Sequence, residues 1–483
     1  MTATATATSE PSPRSETDPP RIGRDPRRAL LQLAADRGET WADGGETDAR
    51  PVDPTALLAA ASRHARIPSV GAAAGRALLH GALRALEGGS VTLVEGARRR
   101  TFRSGTPDRY GRESLHAVLE IRDPRAYTAL VRGSSGVGEA YRRGWFATDD
   151  LVALLRLLGR IVRRVEPLRE RAHRLARPVA DPVRRLRGPD AGRDRDNIAA
   201  HYDLGNAFFE LFLDETLTYS AGWFDRPDAP LGEASIAKID RMCRELDLRP
   251  GQRIVEIGTG WGAFALHAAS RYGVHVTTTT LSAEQHRAAT ERVVAARLTD
   301  RIEVRLDHYR DIEGSYDALV AIEMIEAVDW RELDDFVSHC AELVGPSGAV
   351  GLQAIVVAPG RHSRARVSTD FIKSHVFPGG NLPSVPSILD TAARRTDLVP
   401  VGLADFGMHY AETLRRWRRA LLPRHGAARE MGLDDEFLRL WDFYLAYCEA
   451  GFEERQVSVV QMVLERPGRA RTLRPQTSGT QAP

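Results

Sequence analysis

The stretch Ile254-Val-Glu-Ile-Gly-Thr-Gly-Trp-Gly262 restricts the fold of this chain more than any other. Four residues suited to a buried strand, Ile254 to Ile257, run straight into Gly258, Gly260 and Gly262, and the apolar periodic run Ala263 to Ala269 follows as a helix. Glycine has no Cβ, so at such a strand–turn–helix junction the backbone can lie close to a nucleotide-like ligand. A bare Gly-x-Gly-x-Gly is a weak signal, and the context strengthens it. A second strand-like run, Val274 to Thr280, ends at Leu281-Ser282, and Glu284 and Gln285 open another helix. Ribose hydroxyls are usually read at the end of that second strand, about 20 residues on. The expectation is a cofactor site.

The chain has 483 residues, enough for two or three domains, and a net charge of +2 that predicts no strong field of its own. Cys243, Cys340 and Cys448 are far apart and form no ligand-spaced pair, so they read as core residues of a cytosolic protein. No two ligand-type residues recur at zinc spacing, and no metal site is expected. No apolar run reaches the roughly 18 residues needed to span a bilayer, and no secretory leader is read. The expected location is the cytoplasm, peripheral to the inner face of the cell membrane.

In chain order, residues 1–60 are rich in Thr, Ser, Pro, Arg and Asp and read as a disordered tail. Residues 61–165 read as a small α+β domain, with strands Ser90 to Glu95, Arg99 to Arg103 and Ala117 to Ile121, and a helical run from Asp150 to Val162. The segment 156–187 carries Arg156, Arg160, Arg163, Arg164 and seven further arginines with leucine and valine between them at helical spacing. Two readings stand: a solvated linker (166–196) broken at Pro167, Pro178 and Pro182, or a basic amphipathic surface resting on anionic lipid headgroups. Nucleic acid is not expected, because no aromatic residues interleave the charges and no DNA-binding motif accompanies them. From residue 197 to 466 strands alternate with helices, which implies a mostly parallel sheet covered on both faces. Residues 359 to 396 lack a clear period, and 467–483 form a second Pro/Thr/Ser tail.

Several ordered blocks resemble one family. They are His201-Tyr-Asp-Leu-Gly-Asn206, Leu213-Asp-Glu-Thr-Leu-Thr-Tyr-Ser220, the glycine turn with Trp261, Thr280-Leu-Ser-x-x-Gln285, Asp307-His-Tyr-Arg-Asp311, Met324-Ile-Glu326, Phe377-Pro-Gly-Gly380, His409-Tyr-Ala-x-Thr-Leu-x-x-Trp417 and Tyr444 to Phe452. Together they are similar to the cyclopropane-fatty-acyl-phospholipid synthases and mycolic acid cyclopropane synthases. The resemblance implies a Rossmann-like methyltransferase domain with a helical, lipid-binding cap, using S-adenosylmethionine. It places Gly258, Gly260 and Gly262 against the cofactor's amino-acid end. Thr280, Leu281 and Gln285 would hold the ribose, Tyr309 and Arg310 flank the adenine, and Tyr219 and Ser220 close over the cofactor.

The implied reaction is methylation of a cis double bond in a phospholipid acyl chain, giving a cyclopropane. An isolated alkene is a poor nucleophile, so the methyl donor must be aligned with it in a dry apolar pocket. The resulting carbocation can be stabilised by facing aromatic rings, and a base must then remove a proton. In the family a bicarbonate is that base, held by a Glu, a His, a Tyr and groups near a Cys. Glu326 and Tyr410 stand at the matching Glu and Tyr positions, with Glu323 an equal candidate for the first. His375 and His409 read as structural.

Three positions depart from the pattern. Gln353 stands where the family has His, Ala221 where it has Cys, and Ala327 follows Glu326 in place of His. Gln hydrogen-bonds an anion but carries no charge to hold one, so a weaker bicarbonate site or a different base is expected. Loss of a proton from the new methyl closes a cyclopropane; loss from a neighbouring chain carbon is expected to leave a methylene branch. The Glu-Ala and Leu-Gln-Ala-Ile pattern resembles members linked to methylene-branched, later methyl-branched, fatty acids. A protein of this type that binds lipid and cofactor without catalysis is the rival from another class, and an oligomer is left open.

Overall fold

The computed structural model describes residues 70–164, 205–366, 368 and 370–470. The tail 1–60, the linker 166–196, His201 to Leu204 and the chain beyond 470 lie outside the described residues.

The amino-terminal part begins with α1 (Val70–Arg84), which covers a four-stranded sheet of β1 (Gly89–Glu95), β2 (Arg98–Arg103), β3 (Leu115–Ile121) and β4 (Phe146–Thr148) in the order β2-β1-β3-β4. Strand alternation separates the faces: Val91, Leu93, Phe102, Ala117 and Leu119 join Leu79 and Leu83 of α1 in one core. Two short helices follow β3, α2 (Arg125–Leu130) and α3 (Ser134–Arg142), and a longer one, α4, covers 151–164.

The second part comprises α5 (Asn206–Glu210), α6 (Leu231–Glu245), β5 (Arg253–Ile257), α7 (Ala263–Tyr272), β6 (His275–Thr279), α8 (Ala283–Ala295), β7 (Ile302–Arg305), β8 (Tyr316–Ile322), α9 (Leu333–Leu343), β9 (Val344–Val357), α10 (Phe371–His375), α11 (Val385–Arg395), β10 (Val399–Asp405), α12 (Gly407–Leu421), α13 (Asp435–Glu453) and β11 (Val457–Glu465). Its seven strands lie in the order β10-β11-β9-β8-β5-β6-β7. Strands β5 to β9 are parallel, and β11 enters antiparallel to β9. Successive residues of β5 feed opposite faces: Ile254 packs with Met242 of α6 and Phe264 of α7, whereas Val255 and Ile257 pack with Phe336 of α9 and Ile388 of α11. Both faces are therefore dry, as an almost continuous apolar strand requires. This is the expected α/β class with a mixed, mostly parallel sheet. The order reverses between β5 and β8, so their carboxyl ends open a crevice there.

Strand β10 and helix α11 were not legible. Pro400 and Gly402 interrupt β10, and the register with β11 shifts between them; an edge strand tolerates this because its outer N–H groups need no partner. Helix α11 starts at a Ser384–Ser387 capping box rather than the more usual Glu or Gln form.

The basic segment needs correction at Arg156, Arg160 and Arg163, whereas Arg164 is exposed. Arg160 of α4 is fully buried and pairs with Glu454 at 3.0 Å and Asp108 at 3.6 Å. Arg156 meets Glu113 at 2.7 Å and Glu454 at 3.1 Å, and Arg163 meets Glu454 at 2.8 Å. These guanidiniums face neither solvent nor lipid. They fasten α4 to the residue that ends α13, because a buried cation persists only with a carboxylate partner.

Helix α3 packs on α13 and α10. A Cβ on Gly138 would lie 2.3 Å from a ring carbon of Phe371 and 3.0 Å from one of Phe443, so only glycine permits this approach. Tyr141 donates to Asp442 at 2.7 Å, and Arg142 and Arg143 pair with Glu436 at 2.6 and 2.8 Å.

Candidate active site

The loops after β5, β6, β7 and β8 supply the crevice. Gly258, Gly260 and Gly262 all have positive φ, at 97°, 53° and 85°. A Cβ on Gly258 would press on Met324 at 3.3 Å, while one on Gly260 would meet no atom within 4 Å, leaving bare backbone at the turn's apex. Gly262 caps α7 and lies against Ala289 of α8. These features fit the methionine end of S-adenosylmethionine, which needs backbone approach rather than side chains. After β6, Thr280 donates to Gln285 at 2.8 Å, Leu281 is half-buried, and Ser282 caps α8. Tyr309 packs edge-on to Phe336, and Arg310 lies over its ring while pairing with Glu332 at 2.8 Å. Tyr219 stacks on Trp417 with centroids 5.1 Å apart and shares a hydrogen bond with Tyr444 at 2.9 Å. Arg292 of α8 ties this wall to the glycine turn, donating to the carbonyls of Thr216 at 2.9 Å and Trp261 at 2.7 Å.

Beside this crevice lies a buried polar cluster centred on Glu323, the residue that follows β8. Its backbone is left-handed, at φ 51°, a conformation costing roughly 1–2 kcal/mol for a residue with a Cβ. The amide N–H of Glu323 still bonds the Gln353 carbonyl at 2.8 Å. One carboxylate oxygen accepts from the Ala221 N–H at 2.9 Å and from Gln353 Nε2 at 2.7 Å; the other accepts from the Tyr410 hydroxyl at 2.7 Å. Burial raises its pKa, and the charge of Lys238 together with these three hydrogen bonds opposes the rise. The Tyr410 phenol is pushed well above its ordinary value by burial and by Glu323. Gln461 of β11 completes the scaffold, donating to Gln353 Oε1 at 3.1 Å and to the Lys238 carbonyl at 2.9 Å.

Glu326, three residues on, is a different group. Its Oε1 accepts from the Ile355 N–H at 2.5 Å, and its Oε2 is buried with no hydrogen-bond partner among the described residues. Burial and the neighbouring Glu323 charge push its pKa up to about 8, so it is largely protonated at neutral pH. Lys238 is also fully buried, and burial lowers its pKa to about 8. It donates to Ser220 Oγ at 2.5 Å, so Ser220 faces this cation rather than standing alone on the cofactor side.

Of the predicted residues, Tyr410, Gln353 and the backbone of Ala221 converge on Glu323, and Glu326 does not share those donors. Loss of the Cys side chain at position 221 leaves the contact intact, because the N–H makes it. Lys238 and Gln461 were missed. The only available signal was a lone lysine on an apolar helix face and a lone glutamine in an apolar strand. His409 accepts from the Phe224 N–H at 2.9 Å and His375 stacks on Phe371. Among the described residues no cluster suited to a metal ion occurs.

The chain is similar to known proteins. A family model described as mycolic acid cyclopropane synthetase matches residues 190–462. The tuberculostearic acid methyltransferase UfaA1 of Mycobacterium tuberculosis is 40% identical over 361 residues, covering 72% of this chain and 83% of the relative. The cyclopropane-fatty-acyl-phospholipid synthase of Escherichia coli K12 is 29% identical over 356 residues, covering 73% and 89%. The crystal structure of mycolic acid cyclopropane synthase CmaA1 complexed with SAH and CTAB matches at a TM-score of 0.53 and 31% identity, covering 56% of this chain and 98% of that one. The glycine turn, the crevice at the strand reversal and these relatives together show that this chain belongs to the mycolic acid cyclopropane synthetase family and is an S-adenosylmethionine-dependent methyltransferase acting on lipid acyl chains.

Proposed function

We propose that this enzyme methylates the cis double bond of an unsaturated phospholipid acyl chain and releases a methylene-branched chain, with Glu323 as the base. The observation that carries this reading is the convergence of Tyr410, Gln353 and the Ala221 N–H on the Glu323 carboxylate. Those are the groups that family resemblance assigns to a bound bicarbonate, so the chain's own carboxylate takes the anion's place and no bicarbonate is required. The name of UfaA1, which specifies tuberculostearic acid, supports a branched rather than a cyclopropane product.

S-adenosylmethionine supplies an electrophilic methyl group. The chain's residues supply alignment, dryness and a base. Tyr219, Trp417, Tyr410 and Phe452 bring ring faces together, with the last two centroids 4.6 Å apart, and such faces favour a passing positive charge. Methyl transfer to one alkene carbon consumes the π bond and leaves the cation on its neighbour. Bond counting corrects the expectation that a chain proton is lost. A 1,2-hydride shift moves the cation to the methyl-bearing carbon, now tertiary; a proton then leaves the methyl group, and its electron pair becomes the C=CH2 bond. Cyclopropane closure removes the same methyl proton before the shift. The position of a fixed carboxylate therefore decides the product by timing. Lys238 and three donors oppose the rise that burial brings to the Glu323 pKa, and the raised pKa makes it a stronger base than an exposed carboxylate.

Glu323→Gln should lower turnover of oleoyl-phospholipid by about 10²–10⁴-fold with S-adenosylhomocysteine binding retained. Wild-type rate should be unchanged in bicarbonate-depleted buffer. Glu323→Gly, which removes the carboxylate, should regain activity with added bicarbonate. Terminal-alkene protons in the product NMR spectrum are expected. Far-upfield cyclopropyl protons would instead establish the cyclopropane product, and bicarbonate dependence of the wild type would remove Glu323 from its role.

A further inference from the structure

We propose that the edge strand β2 is the surface through which this protein docks on an anionic phospholipid bilayer, an inference that rests on the reading of the substrate as a membrane phospholipid. The strand reads Arg98-Arg-Arg-Thr-Phe-Arg103, and every residue except Phe102 is exposed. Phe102 anchors it beneath α1, packing on His80 with ring centroids 5.3 Å apart. None of the guanidinium groups of Arg98, Arg99, Arg100 and Arg103 makes a hydrogen bond or ion pair with a described residue; that of Arg100 only lies over the Phe102 ring at 5.0 Å. The adjacent carboxylates are already engaged. Glu95, opposite Arg98 in register, binds Arg76 through both oxygens at 2.6 Å, and Glu120 pairs with Arg122. Four cations on one six-residue strand thus have no partner among the described residues.

The surrounding charge agrees. Residues 70–164 hold 17 arginines and no lysine against nine carboxylates, a net +8, whereas the whole chain is only +2. The same part of the molecule carries the two most exposed large hydrophobic residues among those described, Tyr110 at 66% and Leu78 at 61%. Exposed tyrosine and leucine on the part of the molecule that carries these cations suit a headgroup interface, where rings and alkyl groups enter the acyl boundary while the charges stay with phosphate. A charged edge also prevents strand-to-strand aggregation, a role that leaves the same charges open to phosphate. Single-stranded nucleic acid would call for stacking rings, and the open face next to β2 presents Ser90, Thr92, Thr101 and His116 instead. This surface replaces the part of segment 156–187 whose arginines are buried.

The test is co-sedimentation of the full-length protein with vesicles of phosphatidylglycerol and phosphatidylcholine, or of phosphatidylcholine alone, across a salt series. Each arginine near an anionic surface strengthens binding about fivefold. The combined variant Arg98→Gln, Arg99→Gln, Arg100→Gln, Arg103→Gln should therefore bind phosphatidylglycerol vesicles at least 100-fold more weakly and lose the salt dependence. The corresponding four-lysine variant should bind nearly as wild type. Turnover of detergent-dispersed oleoyl lipid should be unaffected in both, which shows that each is folded. Undiminished vesicle binding by the Gln variant would overturn the proposal, as would equal loss of dispersed turnover or tighter binding of wild type to single-stranded RNA than to vesicles. Failure of the wild type to turn over dispersed lipid would count against the proposed reaction, while vesicle binding would still judge the strand.

Discussion

Two carboxyls three residues apart sit in opposite surroundings, and this divides their roles. Glu323 has three donors and a neighbouring cation; Glu326 has one donor and a buried, unpartnered oxygen. The resemblance pointed at Glu326 because Met324-Ile-Glu326 matches by sequence. No sequence signal announces the left-handed backbone that turns Glu323 into the cluster. Removing the cation tests the division: in Lys238→Met the Glu323 pKa should rise further, so the acid limb of the kcat/KM profile should move up by about one unit or more. An unmoved limb would mean that Lys238 does not sense the base. Glu326→Gln mimics the protonated acid and should keep most activity at pH 7. It also has a stability signature. The folded pKa of Glu326, about 8, stands above its ordinary 4.5, so the folded state retains a proton that the unfolded chain has released. The stability due to that proton is whole below pH 4.5 and is lost as pH rises toward 8. The melting temperature of Glu326→Gln relative to wild type should therefore climb between pH 5 and 8, by an amount worth roughly 1–3 kcal/mol.

At the scale of elements, composition misled where partners are remote. Arg156, Arg160 and Arg163 recur at helical spacing among leucines, which reads equally well as a solvated or a lipid-facing stripe. Their acids, Asp108, Glu113 and Glu454, are separated from them in sequence by as much as 298 residues, and no local pattern reveals that. A single glycine has the same reach, since Gly138 permits α3 to rest on Phe371 and Phe443. The strands of the parallel core were legible because burial on both faces forces continuous apolar runs, whereas β10, half-wet and broken by Pro400, left no such trace. Glu454 is the test of the α4 fastening. Glu454→Ala strands Arg160 and Arg163 in a buried setting and should lower stability by about 3–5 kcal/mol in urea titration. The double change Glu454→Leu with Arg160→Met should cost clearly less, because no charge is then left unpaired. Equal losses would mean that packing, not pairing, holds the helix.

At the scale of the molecule, the catalytic fold stands on its own in relatives: CmaA1 is matched over 98% of its length by 56% of this chain. What this chain adds is a four-stranded sheet whose helices seal the outer side of the cap. Phe371, Phe443 and Tyr447 form one aromatic cluster, and α3 covers it, with Ser134 accepting from the Phe371 N–H and Ser135 sharing a hydrogen bond with Ser374. Helix α13 also carries Tyr444, which bonds Tyr219 in the crevice wall. The cap is thus the common wall of the two parts, and loosening its outer side should reach the acyl site before it reaches the glycine turn, which lies across the sheet's own loops. The prediction is a split between the two ligands. A fragment spanning 197–466 should bind S-adenosylhomocysteine with affinity within a few-fold of the full chain by calorimetry, since Gly258 to Gly262, Thr280 and Gln285 keep their supports. It should melt at a lower temperature, bind a hydrophobic dye through the uncovered aromatic cluster, and show a raised KM for dispersed oleoyl lipid. Full retention of acyl affinity would show that the amino-terminal sheet serves docking alone and leaves the cap's shape untouched.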